Sequence, residues 1–351
     1  MLTDKNIVVT GGTGSLGKVL TRRLLTGELG LPKKITVFSR DEAKQHEMRL
    51  SYQHLRTATD EVIYHNFEQL LQFRIGDVRD IHSVSTVLRD ADVVFNAAAL
   101  KQVPSCEYFP FEAVQTNIVG AENIVRAIRE HHLPVDTVVG VSTDKACKPV
   151  NVMGMTKAVQ ERIFVRANLD SSNTRFICVR YGNVLASRGS VIPLFHEQIR
   201  RGGPVTITTP EMTRFLLSLE QAVDTIFAAL QGGNPGETYI PRVPSARVTD
   251  IAEALIGERP IETKITGIRP GEKVHEILVS EEEAHRTIAR GDYYVIAPML
   301  PELVTEKLES TLEKEYSSND ILMTRLELDE LLQKHNLMVE NRLVYSEDVL
   351  A

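Results

Sequence analysis

The stretch Val8–Leu20, VVTGGTGSLGKVL, decides the fold. It passes from a β-branched apolar run through a glycine-rich turn into the start of a helix. Its glycines satisfy both Gly12-x-Gly14-x-x-Gly17 and Gly11-x-x-Gly14-x-x-Gly17. Glycine is needed where a chain turns tightly and where backbone must approach a pyrophosphate at a helix N-terminus. On the first strand-to-helix turn of an alternating chain, this pattern predicts a dinucleotide site rather than a flexible turn.

The same alternation continues through the first half of the chain. The runs predicted to be strands are short and rich in β-branched residues: Asn6–Thr10, Lys34–Ser39, Asp92–Ala99, Asp136–Thr143 and Arg175–Val184. Near-continuous apolar runs indicate strands covered on both faces, and hence a parallel sheet. We therefore expect an α/β fold built on a doubly wound, Rossmann-type parallel sheet.

After the last of these strands, the alternation of strands and helices becomes less regular. Helices are separated there by Gly- and Pro-rich loops and by short strand candidates at 204–208 and 237–241. This pattern predicts a large domain over 1–183, to which about 214–232 returns, and a smaller interleaved α/β lobe over 184–300 that binds substrate. The tail, 301–351, holds a predicted helix that begins with a capping box.

Composition limits the partners. The chain has 351 residues, of which 42% are hydrophobic, and a formal net charge of -7, which disfavours nucleic acid and anionic membranes as partners. An anionic ligand would need a local basic site. Cys106, Cys147 and Cys178 lack metal-type spacing and predict reduced thiols in a cytoplasmic protein without a metal. No signal peptide is recognisable, and no run approaches the ~18 apolar residues of a membrane span.

The end of the second strand bears on the choice of cofactor. Ser39 and Arg40 come first, followed by Asp41 and then Lys44. An arginine at this place accommodates the 2′-phosphate of NADP, whereas an acidic residue binds the ribose diol of NAD. The order of residues favours NADP, with Asp41 supporting NAD as the alternative. Asp77 follows the third strand, within reach of an adenine, although a turn role is equally compatible with it.

The richest chemistry lies in Val141–Lys157, VSTDKACKPVNVMGMTK. Thr143, Asp144 and Lys145 place a hydroxyl, a carboxylate and an amine at a strand end, and strand ends of this kind form the ligand crevice of a doubly wound sheet. An exposed turn is the alternative. Met153 lies four residues before Lys157, so both share one helix face, which is either core or active site.

These motifs carry a resemblance to a known family. TGGTGSLG, SRDEAKQ, GDVRD, STDKACKPVNVMGMTKAVQE, RYGNVLASRGSVIPLF and GIRPGEKVHE follow one another over roughly residues 5–280. In this order they resemble the extended short-chain dehydrogenases/reductases, and within them the configuration-inverting UDP-N-acetylglucosamine 4,6-dehydratases. The resemblance implies hydride transfer from carbon-4 of the sugar to NADP, loss of water across carbons 5 and 6, hydride return to carbon-6, and inversion at carbon-5.

The resemblance also implies roles for the central residues. Asp144 would be the acid at the departing hydroxyl, and Lys145 the base at carbon-5, which requires a depressed pKa. Lys157 would bind the nicotinamide ribose, and Thr143 the carbon-4 oxygen. Met153 stands where the superfamily has the Tyr of Tyr-x-x-x-Lys, and a thioether cannot accept a proton at neutral pH. Either Asp144 or a water held by Lys157 would replace the tyrosine, or the oxidation would not occur. Capsule-type members that also epimerise carbon-5 similarly carry Met at this position, which favours an active enzyme.

The remaining site residues are implied by the same resemblance. Cofactor binding is expected from Gly11, Thr13, Gly14, Ser15, Leu16, Gly17, Ser39, Arg40, Asp41, Lys44, Asp77, Val78, Ala97, Ala98, Lys101, Thr116, Asn117, Lys157 and Val184. Binding of UDP-N-acetylglucosamine is expected from Lys101, Thr143, Asn183, Arg188, Val191, Thr206, Arg214, Arg269 and Glu272.

Three alternatives stay open at this point. A retaining 4,6-dehydratase and a UDP-sugar 4-epimerase fit the same fold, although a pure epimerase needs no elimination at carbon-6. The loss of the tyrosine also allows an inactive NADP-binding regulatory protein. A homo-oligomer is expected, with the tail helix and the link Arg56–Gln72 as candidate contacts.

Overall fold

The computed structural model describes residues 1–54, 61–171, 173–185, 190–304 and 309–341. Arg188, a predicted substrate contact, and part of the link Arg56–Gln72 lie outside these residues. No helix in the described part of the chain is long and apolar enough to cross a membrane.

The strands are numbered in chain order. They are β1 Asn6–Thr10, β2 Lys34–Ser39, β3 Leu71–Ile75, β4 Val93–Asn96, β5 Thr137–Thr143, β6 Arg175–Tyr181, β7 Val205–Ile207, β8 Thr213–Phe215, β9 Thr238–Pro241, β10 Ser245–Arg247, β11 Thr263–Ile265, β12 Ile277–Val279, β13 Thr287–Arg290, β14 Tyr293–Ile296 and β15 Tyr316–Ser317.

The helices follow the same order. They are α1 Ser15–Leu25, α2 Glu42–His54, α3 Glu61–Leu70, α4 Ile81–Leu88, α5 Val103–Tyr108, α6 Pro110–Ala113, α7 Gly120–Glu130, α8 Val152–Asp170, α9 Val191–Arg200, α10 Leu219–Gly232, α11 Val248–Ile256, α12 Glu281–Ala284 and α13 Arg325–Lys334, with a π-helical turn at Val114–Val119 and 3₁₀ turns at Asp144–Ala146 and Pro301–Leu303.

A central sheet organises the described residues. Its nine strands follow the order β13-β14-β9-β6-β5-β4-β1-β2-β3. All pairs from β3 to β9 are parallel, whereas β14 runs antiparallel to both β9 and β13. The order 3-2-1-4-5-6 is that of the doubly wound fold, so the predicted fold class is confirmed. Its strand order reverses between β1 and β4, and ligands bind such sheets outside the carboxyl ends at that point.

Apolar residues cover both faces of the sheet. One face packs residues of α1 and α10 into a cluster with Ile7, Val9 and Tyr239. The opposite face packs residues of α4, α7 and α8 against Val8 and Val138. Because neighbouring strand residues point to opposite faces, double coverage requires the continuous apolar runs that the sequence shows.

The smaller lobe has its own core, in which α9, α11 and α13 pack on β7 and β10. Two-stranded pairings of β7 with β11, β8 with β10 and β12 with β15 complete it. The strand predicted within 237–241 for this lobe belongs instead to the central sheet, as do β13 and β14. The chain therefore returns to the large sheet over more than the predicted 214–232. The expected capping box of the tail helix is present, with Thr324 and Glu327 bonded reciprocally.

Arg180 on β6 joins the two parts of the molecule. Its guanidinium donates to both oxygens of Glu161 on α8, at 3.0 and 2.6 Å, and to both of Glu283 on α12, at 2.7 and 3.0 Å. Its remaining donor reaches the carbonyl of Leu278 on β12, at 2.9 Å. All five N–H groups of the buried arginine are thus satisfied. Burial opposes the charge, but the two carboxylates outweigh it and raise the pKa of Arg180.

We expect Arg180→Leu to lower the free energy of unfolding by about 3–5 kcal/mol, because Glu161 and Glu283 would remain as buried charges without their partner. Urea denaturation measures this difference. Arg126→Leu is the matched control: it breaks an exposed pair with Glu130 at 3.0 Å, and its cost should stay below about 1 kcal/mol. Equal losses in the two variants would contradict a joining role for Arg180.

Candidate active site

The glycine-rich turn between β1 and α1 forms an anion cradle. Gly11 has a φ of +65°, and a Cβ there would lie 2.7 Å from the backbone of Ala98. A Cβ at Gly17 would overlap the backbone of Gly12, so α1 can pack this closely only with glycine. Gly14 caps α1 without a side-chain hydrogen bond, and the first turn carries no acidic residue. The N–H groups in the first turn of a helix have no partner within the helix, and they suit a pyrophosphate. Thr13, Ser15 and Leu16 complete the turn.

Arg40 and Asp41, the two residues predicted to decide between NADP and NAD, have different contacts at the end of β2. Asp41 is already engaged: its carboxylate accepts the backbone N–H of Lys44 at 3.1 Å and lies 3.4 Å from the Lys44 ammonium. The Lys44 backbone bond is the main cause that lowers the pKa of Asp41. Arg40 is exposed, and its guanidinium lies 4.0 Å from Asp77. The Ser39 hydroxyl accepts the Gln45 amide at 3.0 Å, which fixes this strand end.

Asp77 follows β3 and belongs to a local ion pair. Arg79 donates to it from Nε at 2.9 Å and from Nη2 at 2.7 Å. Partial burial opposes ionisation, yet the bonds from Arg79 outweigh it and lower the pKa of Asp77. Val78 is buried, and Asn123 holds its carbonyl at 2.9 Å. The carboxylate is therefore held as a charged acceptor at the edge of the crevice.

The loop after β4 is tied to the π-helical turn beneath it. Asn117 is buried and exchanges hydrogen bonds of 2.9 and 3.0 Å with the backbone of Leu100. It also donates to Thr156 on α8 at 2.9 Å. The Thr116 hydroxyl is buried and has no partner among the described residues, which suits it to a bound group. Ala97 and Ala98 line the turn over Gly11, and Lys101 stands exposed beyond them.

The end of β5 carries a compact polar cluster. Asp144 is fully buried, and its Oδ1 accepts the Thr143 hydroxyl at 2.7 Å and the Lys145 ammonium at 3.1 Å. Its Oδ2 is buried without a partner among the described residues. Lys145 also donates to Asn183 Oδ1 at 2.9 Å. The three predicted residues are thus in contact, and a carboxylate oxygen is left available for a ligand.

The expected depression of the Lys145 pKa is wrong. Burial lowers the pKa, but the carboxylates of Asp144 and Glu276 raise it further than burial and Arg214 lower it, so the pKa lies above its ordinary 10.5. The Glu276 oxygen is 3.4 Å from the lysine nitrogen. Glu276 escaped the sequence analysis because it lies far along the chain; its one signal is its place in the GEKVHE motif.

Lys157 has the opposite character. It is buried, and its nitrogen donates to the carbonyl of Val141 at 2.5 Å and to Gln160 Oε1 at 2.6 Å. Both acceptors are uncharged oxygens, so neither stabilises an ammonium as a carboxylate would. Desolvation, against weaker opposition from Cys178 and Glu161, lowers the pKa of Lys157 from 10.5 to about 8.

Met153 lies in a small apolar cluster. It is buried with Cys106 and Ala113, and Leu100 and Val103 pack against the same cluster. The thioether therefore fills space between α8 and the short helices that follow the Lys101 loop. The same helix, α8, carries Lys157. On this helix face Met153 therefore belongs to the apolar core, whereas Lys157 belongs to the candidate site.

The predicted substrate residues lie in several places around the crevice. Asn183 and Arg214 join the Lys145 cluster, since Arg214 lies 3.8 Å from Glu276. Glu272 forms a turn with Arg269 and has a buried Oε2 without a partner in the described chain. Thr206 pairs instead with Gln198 at 2.7 Å. Val191 begins α9. Val184, which is predicted to bind the cofactor, bridges to Leu217 beyond β6.

Comparison with known proteins identifies the family of this chain. The family model described as "Polysaccharide biosynthesis protein" matches residues 7–298. The chain belongs to this family. It is 43% identical over 303 residues to a UDP-N-acetylglucosamine 4,6-dehydratase (inverting) of Campylobacter jejuni, covering 86% of this chain and 85% of that one. It is also 43% identical over 301 residues to a UDP-glucose 4-epimerase of Rickettsia rickettsii, covering 84% of each chain.

A solved structure supports the same assignment. This member of the polysaccharide biosynthesis protein family matches Pen from Bacillus thuringiensis with a TM-score of 0.83 and 34% identity, over 96% of this chain and 99% of that one. The family resemblance expected from the motifs is therefore confirmed.

The lowered pKa of Lys157 predicts a dependence of stability on pH. Between about 8 and 10.5 the unfolded chain holds this proton and the folded chain does not, so folding gains stability as the pH rises. Relative to Lys157→Met, the wild type should gain about 2 kcal/mol of unfolding free energy between pH 7 and pH 10. Urea titrations at both pH values measure the gain.

Lys148→Met is the control, because Lys148 is paired with Glu315 at 2.7 Å near the surface and its pKa is raised. It should show no such gain. A difference between wild type and Lys157→Met that stays constant with pH would contradict the lowered pKa of Lys157.

Proposed function

We propose that this chain is an NADP-dependent UDP-N-acetylglucosamine 4,6-dehydratase that inverts carbon-5. The observation that carries the proposal is the Thr143–Asp144–Lys145 cluster at the carboxyl end of β5, with a buried carboxylate oxygen free for a ligand. An elimination needs an acid and a base side by side, and this cluster supplies both types of group. The dehydratase from Campylobacter jejuni supports the substrate.

The residues around the crevice fit a dinucleotide. The N-terminus of α1 would hold the pyrophosphate, and Arg40 with Ser39 and Lys44 would hold the 2′-phosphate, since Asp41 is engaged in its own helix cap. The Thr116 hydroxyl would gain the partner that it lacks. When bound, NADP supplies the hydride acceptor for carbon-4 and returns the hydride to carbon-6.

Lys157 is the group in this chain best suited to replace the missing tyrosine. With uncharged acceptors and a pKa of about 8, it gives up its proton at a lower pH than an ordinary lysine, so a fraction of the amine is available near neutral pH to take a proton, directly or through a water. Thr143 would direct the carbon-4 hydroxyl toward it. Met153 contributes by packing, because its sulfur lies in an apolar cluster.

Basic residues would bind the UDP-sugar. Arg214 and Arg269 are suited to the diphosphate, and Glu272, with its unpartnered buried oxygen, to the uridine ribose. Lys101 is exposed at the mouth of the crevice. These groups would give an acidic protein a local site for a dianionic ligand. A homo-oligomer stays a prediction.

A UDP-sugar 4-epimerase is the second candidate, supported by the Rickettsia rickettsii relative. Epimerisation needs only hydride transfer at carbon-4 and proton exchange at its oxygen. The buried Asp144–Lys145 pair, held in place by Asn183 and Glu276, would then have no reaction to serve. This pair favours dehydration.

We expect incubation with UDP-N-acetylglucosamine and NADP in deuterated water to give a 6-deoxy-4-keto sugar that carries deuterium at carbon-5. NMR ring couplings should report the inverted configuration. Asp144→Asn should reduce the rate by about 10²–10⁴-fold, because a neutral amide cannot exchange a proton with the substrate. The control Asp292→Asn changes an exposed turn residue and should retain activity. A galactose-type product with its carbon-6 hydroxyl intact would establish the epimerase instead, and an unchanged sugar would exclude both.

Arg40 should set the cofactor preference. We expect Arg40→Ala to weaken NADP binding roughly 10–100-fold, as for loss of a charge-assisted hydrogen bond, while NAD binding changes little. Calorimetric titration of both dinucleotides measures the two affinities. Arg89→Ala, an exposed arginine after α4, is the control. Tighter wild-type binding of NAD than of NADP would contradict the assignment and give the role to Asp41.

A further inference from the structure

Glu276 is buried beside the catalytic cluster and has a free oxygen. It precedes β12, and only 3% of its surface is exposed. One carboxylate oxygen lies 3.4 Å from the Lys145 nitrogen and 3.8 Å from Arg214 Nε. The other is buried and has no partner in the described chain. Burying a carboxylate with only one of its oxygens in contact with a cation costs folding free energy unless that cation remains charged.

Three side-chain oxygens lie close to the nitrogen of Lys145. Asp144 Oδ1 lies at 3.1 Å, Asn183 Oδ1 at 2.9 Å and Glu276 Oε1 at 3.4 Å from its nitrogen. The first two accept hydrogen bonds from Lys145, and the contact with Glu276 is an ion pair. Two carboxylates beside one nitrogen stabilise an ammonium, whereas the lone pair of a neutral amine would face negatively charged oxygens. Lys157 also has two hydrogen-bond acceptors, but both are uncharged oxygens, a backbone carbonyl and an amide.

We propose that Glu276 is a positioning residue that keeps Lys145 in its ammonium form, so that Lys145 donates the proton at carbon-6 and the Asp144 carboxylate removes the proton at carbon-5. This assignment rests on the proposed dehydratase function. It exchanges the two roles that the sequence predicts for the pair, because the acceptor geometry gives the proton to the lysine and the free oxygen to the aspartate.

The step balances within the pair. An N–H bond of Lys145 breaks as its proton joins the carbon-6 hydroxyl, and the carbon–oxygen bond breaks to release water. The carbon-5 proton passes to Asp144 Oδ2, and its bonding electrons form the double bond between carbons 5 and 6. Lysine and aspartate both end neutral, so no net charge is created in the buried site.

The charged groups that face Lys145 come from three segments. Asp144 at the end of β5 and Glu276 before β12 raise its pKa, and Arg214 on β8 lowers it. Replacing Glu276 by glutamine removes one of the two carboxylates and leaves Arg214 in place. The pKa of Lys145 should therefore fall, and the fraction of ammonium at alkaline pH should fall with it.

The test is the pH profile of kcat/KM for Glu276→Gln against the wild type, with UDP-N-acetylglucosamine as substrate. If Lys145 acts as an ammonium, the alkaline limb of the variant should move to lower pH, with a loss of about tenfold per pH unit beyond it. If Lys145 acts instead as a neutral base, the variant should be faster than the wild type at pH 7–8, and the proposal is overturned.

A second measurement does not depend on turnover. In protein labelled with ¹⁵N at the lysine side chains, the Lys145 resonance is assigned by its absence in Lys145→Arg and titrated with pH. It should titrate above 10.5 in the wild type and lower in Glu276→Gln. An unchanged titration in the folded variant would overturn the proposal. Should Glu276→Gln fail to fold, Glu276→Asp, which keeps the charge and withdraws it by one methylene, should shift both readouts in the same direction by less.

Glu237→Gln is the matched control, since Glu237 is also buried and paired with an arginine, Arg290, at 2.8 Å. It lies next to β9 at the opposite end of the sheet and should leave the alkaline limb and the Lys145 titration unchanged. A wild type that does not convert the sugar at any pH would refute the dehydratase function alone, because the lysine titration still tests the role of Glu276.

Discussion

The site depends on the hydrogen bonds of the buried Arg180 guanidinium, all five of whose N–H groups are bonded. This guanidinium bonds β6 to the helix that carries Lys157, through Glu161, and to the segment that carries Glu276, through Leu278 and Glu283. The Ser142 hydroxyl donates to the same Glu161 at 2.5 Å, so the strand end before Thr143 is held as well. One buried cation therefore fixes the relative positions of the strand, the helix and the smaller lobe where the chemistry is expected.

Two lysines of the same site are set to opposite states by their acceptors. Lys157 is surrounded by a carbonyl and an amide oxygen without a full charge, so burial dominates and its pKa falls. Lys145 is surrounded by two carboxylates, so the charge is retained. The difference does not lie in the depth of burial but in the charge of the partners, which moves the two pKa values in opposite directions.

The strand and helix order was predictable because double burial leaves continuous apolar runs, and β1 and β2 have the bounds expected from sequence. The contact of Asp144 with Lys145 was predictable because neighbours at a strand end share one edge. The state of Lys145 was not, because Glu276 reaches it through tertiary packing from the far end of the chain. The strand at Thr238–Pro241 is predicted for the smaller lobe but pairs in the central sheet, for the same reason: local sequence indicates the strand but not its partner.

The late return of the chain to the central sheet has a consequence for biosynthesis. Strand β6 pairs with β9 only after the intervening segments of the smaller lobe have been made, and β9 is covered by β14 later still. Until then a growing chain exposes an unpaired parallel edge next to the buried charges of Arg180. Pairings this distant in sequence close slowly, and open edges invite association between chains. The newly made protein is therefore most exposed to aggregation while residues 238–296, which supply β9, β13 and β14, are still emerging from the ribosome. In translation at roughly 5–20 residues per second, this is an interval of seconds.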